Sequence, residues 1–80
     1  NVGAISKDEA RYYIDQKLQA AGLNTNLLSV EAYNQIINAA NGVPRIINQI
    51  MDKALLLLCN YKVDEITETI AMEAINEVAL

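Results

Sequence analysis

The chain has no histidine and only one cysteine, Cys59. A disulfide within the chain is therefore excluded, as are a Cys/His metal site and a Cys–His catalytic pair. The pattern favours Cys59 as a small buried hydrophobic residue in a reducing compartment over a reactive thiol. We expect no metal site in these 80 residues.

Long hydrophobic runs are also missing. The longest uninterrupted apolar run, from Ala54 to Cys59, is far shorter than the roughly 20 residues that a helix needs to cross a bilayer. The first residues, Asn1 to Ile5, lack the charged segment and the apolar run of a signal peptide, and they include no methionine. We therefore expect a cytoplasmic domain without a membrane partner, excised from the C-terminus of a larger protein.

Glycine, proline and positive charge are scarce. Three glycines, one proline and 52% hydrophobic residues are typical of a packed domain rather than a disordered tail. Ten acidic residues outnumber six basic ones, and the net charge of -4 opposes non-specific attraction to nucleic-acid phosphates. A chain of this length has room for one core, so residues 1–80 are expected to form a single domain.

Four stretches with helical periodicity, and none typical of strands, predict an all-α domain. The first helix follows a capping-box sequence that starts at Ser6, and it ends at Gly22. The second helix follows Ser29 as its N-cap and runs to about Ala40. The loop between them, residues 23–28, is expected to be held to the core by its leucines.

The third helix is the longest and the most apolar. Pro44 suits its first position, the helix runs to about Cys59, and Asn60 is the expected left-handed terminator. Thr67 is the expected N-cap of a fourth helix, which carries a buried apolar stripe: Ile70, Ala71, Ala74, Ile75 and Val78. Short connections between four helices predict a small four-helix bundle or an orthogonal helical array.

Arg45 is the unusual residue of the third helix, because a cation in the first turn lies beside the positive end of the helix dipole. On a helical wheel, Arg45 lies almost opposite the apolar face, on the side that also holds Leu56. The apolar face consists of Ile46, Ile47, Ile50, Met51, Ala54, Leu57 and Leu58. The wheel therefore predicts that Arg45 points away from the core.

The residues alone leave two interpretations of Arg45 open. As a surface residue it bonds to solvent or to Gln49, and its unfavourable dipole energy is on the order of a few tenths of a kcal/mol. As part of an anion site, its guanidinium joins free amide groups at the helix start, and Gly42 leaves space for the ligand. Val43 has no side-chain acceptor to cap those amides, which is consistent with an anion site.

Three segments carry a family resemblance when they are taken in order. They are ISKDEARYYIDQKLQAAGL, starting at Ile5; NGVPRIINQIMDKALLLL, starting at Asn41; and EITETIAMEAINEV, starting at Glu65. The most specific piece is G-x-P-R-x-I-N, present as Gly42, Pro44, Arg45, Ile47 and Asn48. From Ile5 to Val78 the chain resembles the C-terminal helical lid of AAA+ ATPases, in the bacterial group that contains general-secretion-pathway protein A and the ATP-binding helper proteins of transposons.

The resemblance implies a lid that packs over ATP held by a preceding α/β domain. It implies that Arg45 is the sensor-2 arginine that contacts the γ-phosphate, with Gly42 and Pro44 shaping the turn that aims it. Asn48 is a candidate contact between lid and ATPase domain. The implied cofactors of the parent protein are ATP and Mg²⁺, and the implied partners are its own N-terminal ATPase domain and neighbouring subunits. The 80 residues contain no G-x-x-x-x-G-K-[ST] phosphate loop, so the chain alone is not expected to hydrolyse ATP.

The resemblance leaves two biological settings open for the parent. DNA transposition, with transposase and DNA as further partners, is favoured because the compact lid resembles that of the short helper proteins. The alternative is a secretion or pilus-assembly ATPase.

Two other functions stay open as well. A helical DNA-binding module would use Lys7, Arg11 and Lys17 of the first helix, although acidic residues lie among them and favour an ordinary solvated face. A transposase-interaction module would use the exposed face that holds Leu56.

Overall fold

The computed structural model describes residues 4–79, which form four α-helices and one short 3₁₀ helix. In chain order these are α1 (Lys7–Ala20), the 3₁₀ helix (Thr25–Leu27), α2 (Val30–Ala40), α3 (Pro44–Tyr61) and α4 (Glu68–Ala79). α4 packs against α2 and α3, and α3 also packs against α1. The all-α helical bundle predicted from the sequence is confirmed for the described residues.

Side-chain caps fix where three of the helices begin. The Ser6 hydroxyl accepts a hydrogen bond from the Glu9 amide at 3.1 Å, and the Glu9 carboxylate accepts one from the Ser6 amide at 3.1 Å. Ser29 accepts from the Ala32 amide at 3.1 Å in the same way, and Thr67 accepts from the amide three residues ahead at 3.4 Å. The caps predicted at Ser6, Ser29 and Thr67 are confirmed, and each typically stabilises a helix by about 1 kcal/mol.

The end of α3 differs from the prediction. The helix continues to Tyr61, and Lys62, not Asn60, adopts the left-handed conformation, with φ 56° and ψ 40°. The Lys62 amide donates to the carbonyl of Cys59 at 3.2 Å, and the Val63 amide donates to that of Leu58 at 3.3 Å. This pair of bonds is a Schellman motif, which satisfies the last carbonyls of the helix and thereby offsets the cost of a left-handed lysine.

The two loops at one end of the bundle are joined to each other. The Ile66 amide donates to the carbonyl of Leu27 at 2.8 Å, and the Ser29 amide donates to the carbonyl of Ile66 at 3.2 Å, forming a parallel bridge between Leu28 and Ile66. Leu28 and Ile66 are both buried, and Leu23 and Leu27 pack against the core. The expectation that leucines hold the first loop to the core is confirmed.

The apolar face of α3 forms the centre of the core, as the wheel predicts. Its buried members are Ile47, Ile50, Met51, Ala54, Leu57 and Leu58, whereas Ile46 is only half-buried. α1 contributes Ile14 and Leu18, and α2 contributes Ile36, all of them fully buried. Among the described residues, no helix combines the length and the apolar character needed to cross a membrane.

Cys59 is exposed, so the expectation that it is buried is wrong. It follows Asp52 by two helical turns and therefore shares the solvent-facing side of α3. The apolar run that ends at Cys59 suggested burial, but helical geometry places consecutive residues on different faces. Leu56 lies on the same outer side and remains 51% exposed, as predicted.

Candidate functional site

The turn that leads into α3 is built from two consecutive residues with positive φ. Asn41 has φ 52° and ψ 39° and ends α2, and Gly42 follows with φ 79°. Val43 returns to an extended conformation, and Pro44 is the first residue of α3. Pro44 carries no amide hydrogen and has a φ already suited to a helix, so Arg45 is placed in the first turn.

The turn around Gly42 is packed against the segment that enters α1. The Ile5 amide donates to the Gly42 carbonyl at 2.8 Å, and a Cβ atom at Gly42 would lie only 2.9 Å from the Ile5 carbonyl oxygen. Ala4 lies 3.2 Å from the same position. The expectation that Gly42 leaves space for a ligand therefore needs correction, because backbone from the chain itself occupies that space.

The start of α3 offers fewer free amides than the sequence suggests. Pro44 has no N–H, and the amides of Ile46 and Ile47 both donate to the Val43 carbonyl, at 3.0 and 3.2 Å. Within residues 4–79, Arg45 is left as the first-turn residue whose amide has no backbone acceptor. Any anion site here consists of the Arg45 guanidinium and its own amide rather than a ring of amides.

The Arg45 side chain is exposed, as predicted, on the side of α3 away from the core. No carboxylate in the described part of the chain lies within ion-pair distance of it, and Gln49 does not bond to it. The other arginine, Arg11, lies over the Tyr33 ring with its guanidinium carbon 4.4 Å from the ring centre. Arg45 is therefore the arginine that has no side-chain partner among residues 4–79.

Asn48 has a partner inside the domain. Its side-chain amide donates to the Tyr13 hydroxyl oxygen at 2.7 Å in a partly buried contact. This bond joins α3 to α1 one turn after Arg45. The structure therefore gives Asn48 a structural contact, and its role against an ATPase domain stays a prediction.

The three basic residues considered for DNA binding do not form one free patch. The Lys17 ammonium pairs with the Asp52 carboxylate at 2.9 Å, and Arg11 is held over the Tyr33 ring. Lys7 is exposed at the first position of α1, beside exposed acidic residues of the same turn. DNA contact by this set stays a prediction, with only Lys7 unengaged in the described residues.

Tyr33 is the centre of a polar cluster that the sequence does not indicate. Its ring is buried, and its hydroxyl donates to the Asp15 carboxylate and contacts the Thr25 carbonyl at 3.3 Å. Burial and then the Asp15 hydrogen bond raise the pKa of Tyr33 well above its usual value of 10, against a smaller lowering by Arg11. The cluster joins α1, the 3₁₀ helix and α2, and its groups are all engaged, so we assign it a structural role.

No group of acidic or cysteine side chains within residues 4–79 is arranged to hold a metal ion. Tyr61 bonds to both carboxylate oxygens of Glu73 at 2.8 Å, and this hydrogen bond raises the pKa of Tyr61. That contact links the end of α3 to the middle of α4, so we assign it a structural role. Arg45 and its turn remain the candidate site.

Comparison with known proteins adds no relative. No protein-family model matches the chain, and neither a curated protein nor a solved structure matches it.

Proposed function

We propose that the chain is the C-terminal lid of an AAA+ ATPase and that Arg45 is its sensor-2 residue. The observation that supports this most is the exposed Arg45 side chain in the first turn of α3, without a carboxylate partner among residues 4–79. The resemblance of the G-x-P-R-x-I-N sequence supports the family assignment, and the turn at Gly42 and Pro44, which puts Arg45 in the first turn of α3, supports its role.

The proposed mechanism follows from the geometry of guanidinium. Its planar fork can donate two parallel hydrogen bonds to phosphate oxygens, so the contact with a γ-phosphate forms with bound ATP and is lost after hydrolysis. The parent's α/β domain would bind ATP and Mg²⁺, and the lid would move when the phosphate leaves. Neighbouring subunits would then respond to the lid's position.

The proposed setting of the parent is DNA transposition in the cytoplasm, with transposase and DNA as further partners. A secretion or pilus-assembly ATPase is the alternative setting. Leu56, exposed three turns after Arg45 on the same outer side of α3, favours docking of this side onto another protein surface. DNA contact through Lys7, Arg11 and Lys17 has less support, because two of these cations are already engaged.

The decisive experiment replaces Arg45 in the full-length parent. Arg45→Gln removes the charged fork from an exposed position, so we expect ATP turnover or nucleotide-dependent assembly to fall roughly 10- to 1000-fold while the lid stays folded. Steady-state ATP hydrolysis and assembly with ATP and ADP give the measurement, and circular dichroism of the domain checks folding.

Lys62→Gln is the matched control, because it removes the same charge from another exposed residue that belongs to no candidate site. It should leave turnover and assembly at the wild-type level. Wild-type activity in Arg45→Gln would rule out the sensor role. A parent gene without a Walker A motif in the roughly 200 residues upstream, about one α/β domain, would rule out the AAA+ class.

A further inference from the structure

A groove beside Arg45 has no role in the proposed function. It has a volume of about 340 Å³ and lies where the end of α2, the start of α3 and the end of α4 meet. Ile46 and Ile50 line it from α3, and Ile75 and Val78 line it from α4. Among residues 4–79 its polar lining is Arg45 and Gln49, and no carboxylate of these residues lines it.

The aliphatic walls of this groove are incompletely covered. Ile46, Ile75 and Val78 pack against the core but stay half-buried, whereas Ile70 and Ala74 of the same α4 stripe are buried. The open apolar surface is therefore concentrated on the side of the stripe that faces the groove. Covering such surface with an aliphatic side chain removes it from water and favours binding.

The positive charge of Arg45 at the edge of the groove favours a ligand that carries a negative charge. Lys17 pairs with Asp52 and Lys53 pairs with Glu77, but Arg45 has no such partner within the described residues. An arginine at the edge of an apolar groove that lacks carboxylates attracts an anion next to an apolar group. A nucleic-acid backbone would supply the anion without an aliphatic group to fill the groove.

We propose that the groove binds an extended segment of a partner protein in which an aliphatic residue is followed by an aspartate or a glutamate. The aliphatic side chain packs between Ile46, Ile75 and Val78. The carboxylate accepts hydrogen bonds from the Arg45 guanidinium, and the Gln49 amide is placed to bond with the peptide backbone.

This binding does not depend on the AAA+ assignment, since it is a property of the 80-residue chain in the absence of nucleotide. Both proposals use the Arg45 guanidinium. Where both hold, the γ-phosphate and the partner's carboxylate compete for it, so ATP should displace the segment from the parent protein.

The test uses the 80-residue chain with ¹³C-labelled methyl groups and two capped peptides, acetyl-Gly-Leu-Asp-Gly-amide and acetyl-Gly-Leu-Asn-Gly-amide. At millimolar peptide and low salt, we expect the aspartate peptide to shift the methyl signals of Ile46, Ile75 and Val78. The asparagine peptide should bind roughly two- to fivefold more weakly, the range for one exposed ion pair. Arg45→Gln should abolish this difference, and Lys62→Gln, at an exposed lysine away from the groove, should preserve it.

Several results would overturn the proposal. Absence of methyl shifts with the aspartate peptide, or equal binding of the two peptides to the wild-type chain, would exclude the aliphatic–acidic segment. Shifts of the same methyl groups with protein concentration alone would identify a second copy as the occupant. Nuclear Overhauser contacts from Leu80 to Ile46 across the groove would show that the chain fills its own groove.

Discussion

The Ile5 amide donates its hydrogen bond to the carbonyl of Gly42 across 2.8 Å, so the segment entering α1 is fastened to the turn that places Arg45. Two features restrict the conformation of this turn: the positive φ angles of Asn41 and Gly42, and the close contact of Gly42 with Ile5. In the proposed lid, a pull on the incoming chain would therefore act directly on the start of α3.

Gly42→Ala should destabilise the domain more than Gly22→Ala. Both glycines have positive φ, 79° and 76°, so both substitutions incur backbone strain of about 1 kcal/mol. A Cβ at Gly42 also meets the Ile5 carbonyl at 2.9 Å, whereas a Cβ at Gly22 meets nothing within 4 Å. We expect a total loss of about 2–3 kcal/mol for Gly42→Ala, measured by urea unfolding. Equal losses of unfolding free energy in the two variants would mean that the Ile5 segment moves aside at no cost.

Arg45→Glu should stabilise the isolated domain while inactivating the proposed sensor. The first turn of α3 contains no acidic residue and no side-chain cap, so a carboxylate there would favour the helix dipole by about 0.3–1 kcal/mol. The gain should shrink as salt is added. Gln49→Glu, one turn further along, is the control and should give a smaller gain. Thermal unfolding at low and high ionic strength measures both, and a loss of stability in Arg45→Glu would contradict the dipole account.

Asn48 and Tyr13 should be energetically coupled. Their 2.7 Å hydrogen bond is partly buried and joins α3 to α1. A double-mutant cycle with Asn48→Ala and Tyr13→Phe should give a coupling free energy of about 0.5–1.5 kcal/mol. Additive effects of the two substitutions in urea unfolding would show that the bond contributes nothing.

The stability of the domain should fall above about pH 10 because of Tyr33. Its pKa is raised in the folded state, by burial first and by Asp15 second, so the folded protein keeps a proton that the unfolded chain releases. Stability is therefore full below the unfolded pKa and declines as pH rises above it, by at most about 1.4 kcal/mol per pH unit. Tyr33→Phe should flatten this decline in urea unfolding across the alkaline range. Tyr12→Phe is the control, because this side chain is 67% exposed. If Tyr12→Phe also flattened the decline of stability with pH, a group other than Tyr33 would be responsible for it.

Local rules in the sequence predict the helices well. Ser6, Ser29 and Pro44 act on neighbouring residues, so their roles as caps or first residues depend on spacing alone. The exposed position of Arg45 and the buried face of α3 follow from helical periodicity in the same way.

The burial expected of Cys59 is wrong because a run of apolar residues does not follow helical periodicity. The other wrong expectations involve contacts between distant parts of the chain or the backbone bonds that close a helix end. The tertiary partner of Asn48 is 35 residues away at Tyr13. Gly42 is needed because the Ile5 backbone packs against it, and no local sequence pattern predicts that contact. α3 ends at Lys62 because the Lys62 and Val63 amides donate hydrogen bonds to the last carbonyls of the helix. Asn60 has the better intrinsic preference for a left-handed conformation, but it lies inside the helix.

The bridge between Leu28 and Ile66 has a consequence for where this domain can accept inserted residues. Surface loops usually tolerate insertions, but here the backbone of each loop serves as the other's hydrogen-bond partner. Added residues next to Leu28 or Ile66 would break a register that two separate segments share. Longer versions of the domain should therefore carry their extra residues between Val63 and Asp64, which are both exposed, so that Asp64 and Glu65 still separate them from the bridge.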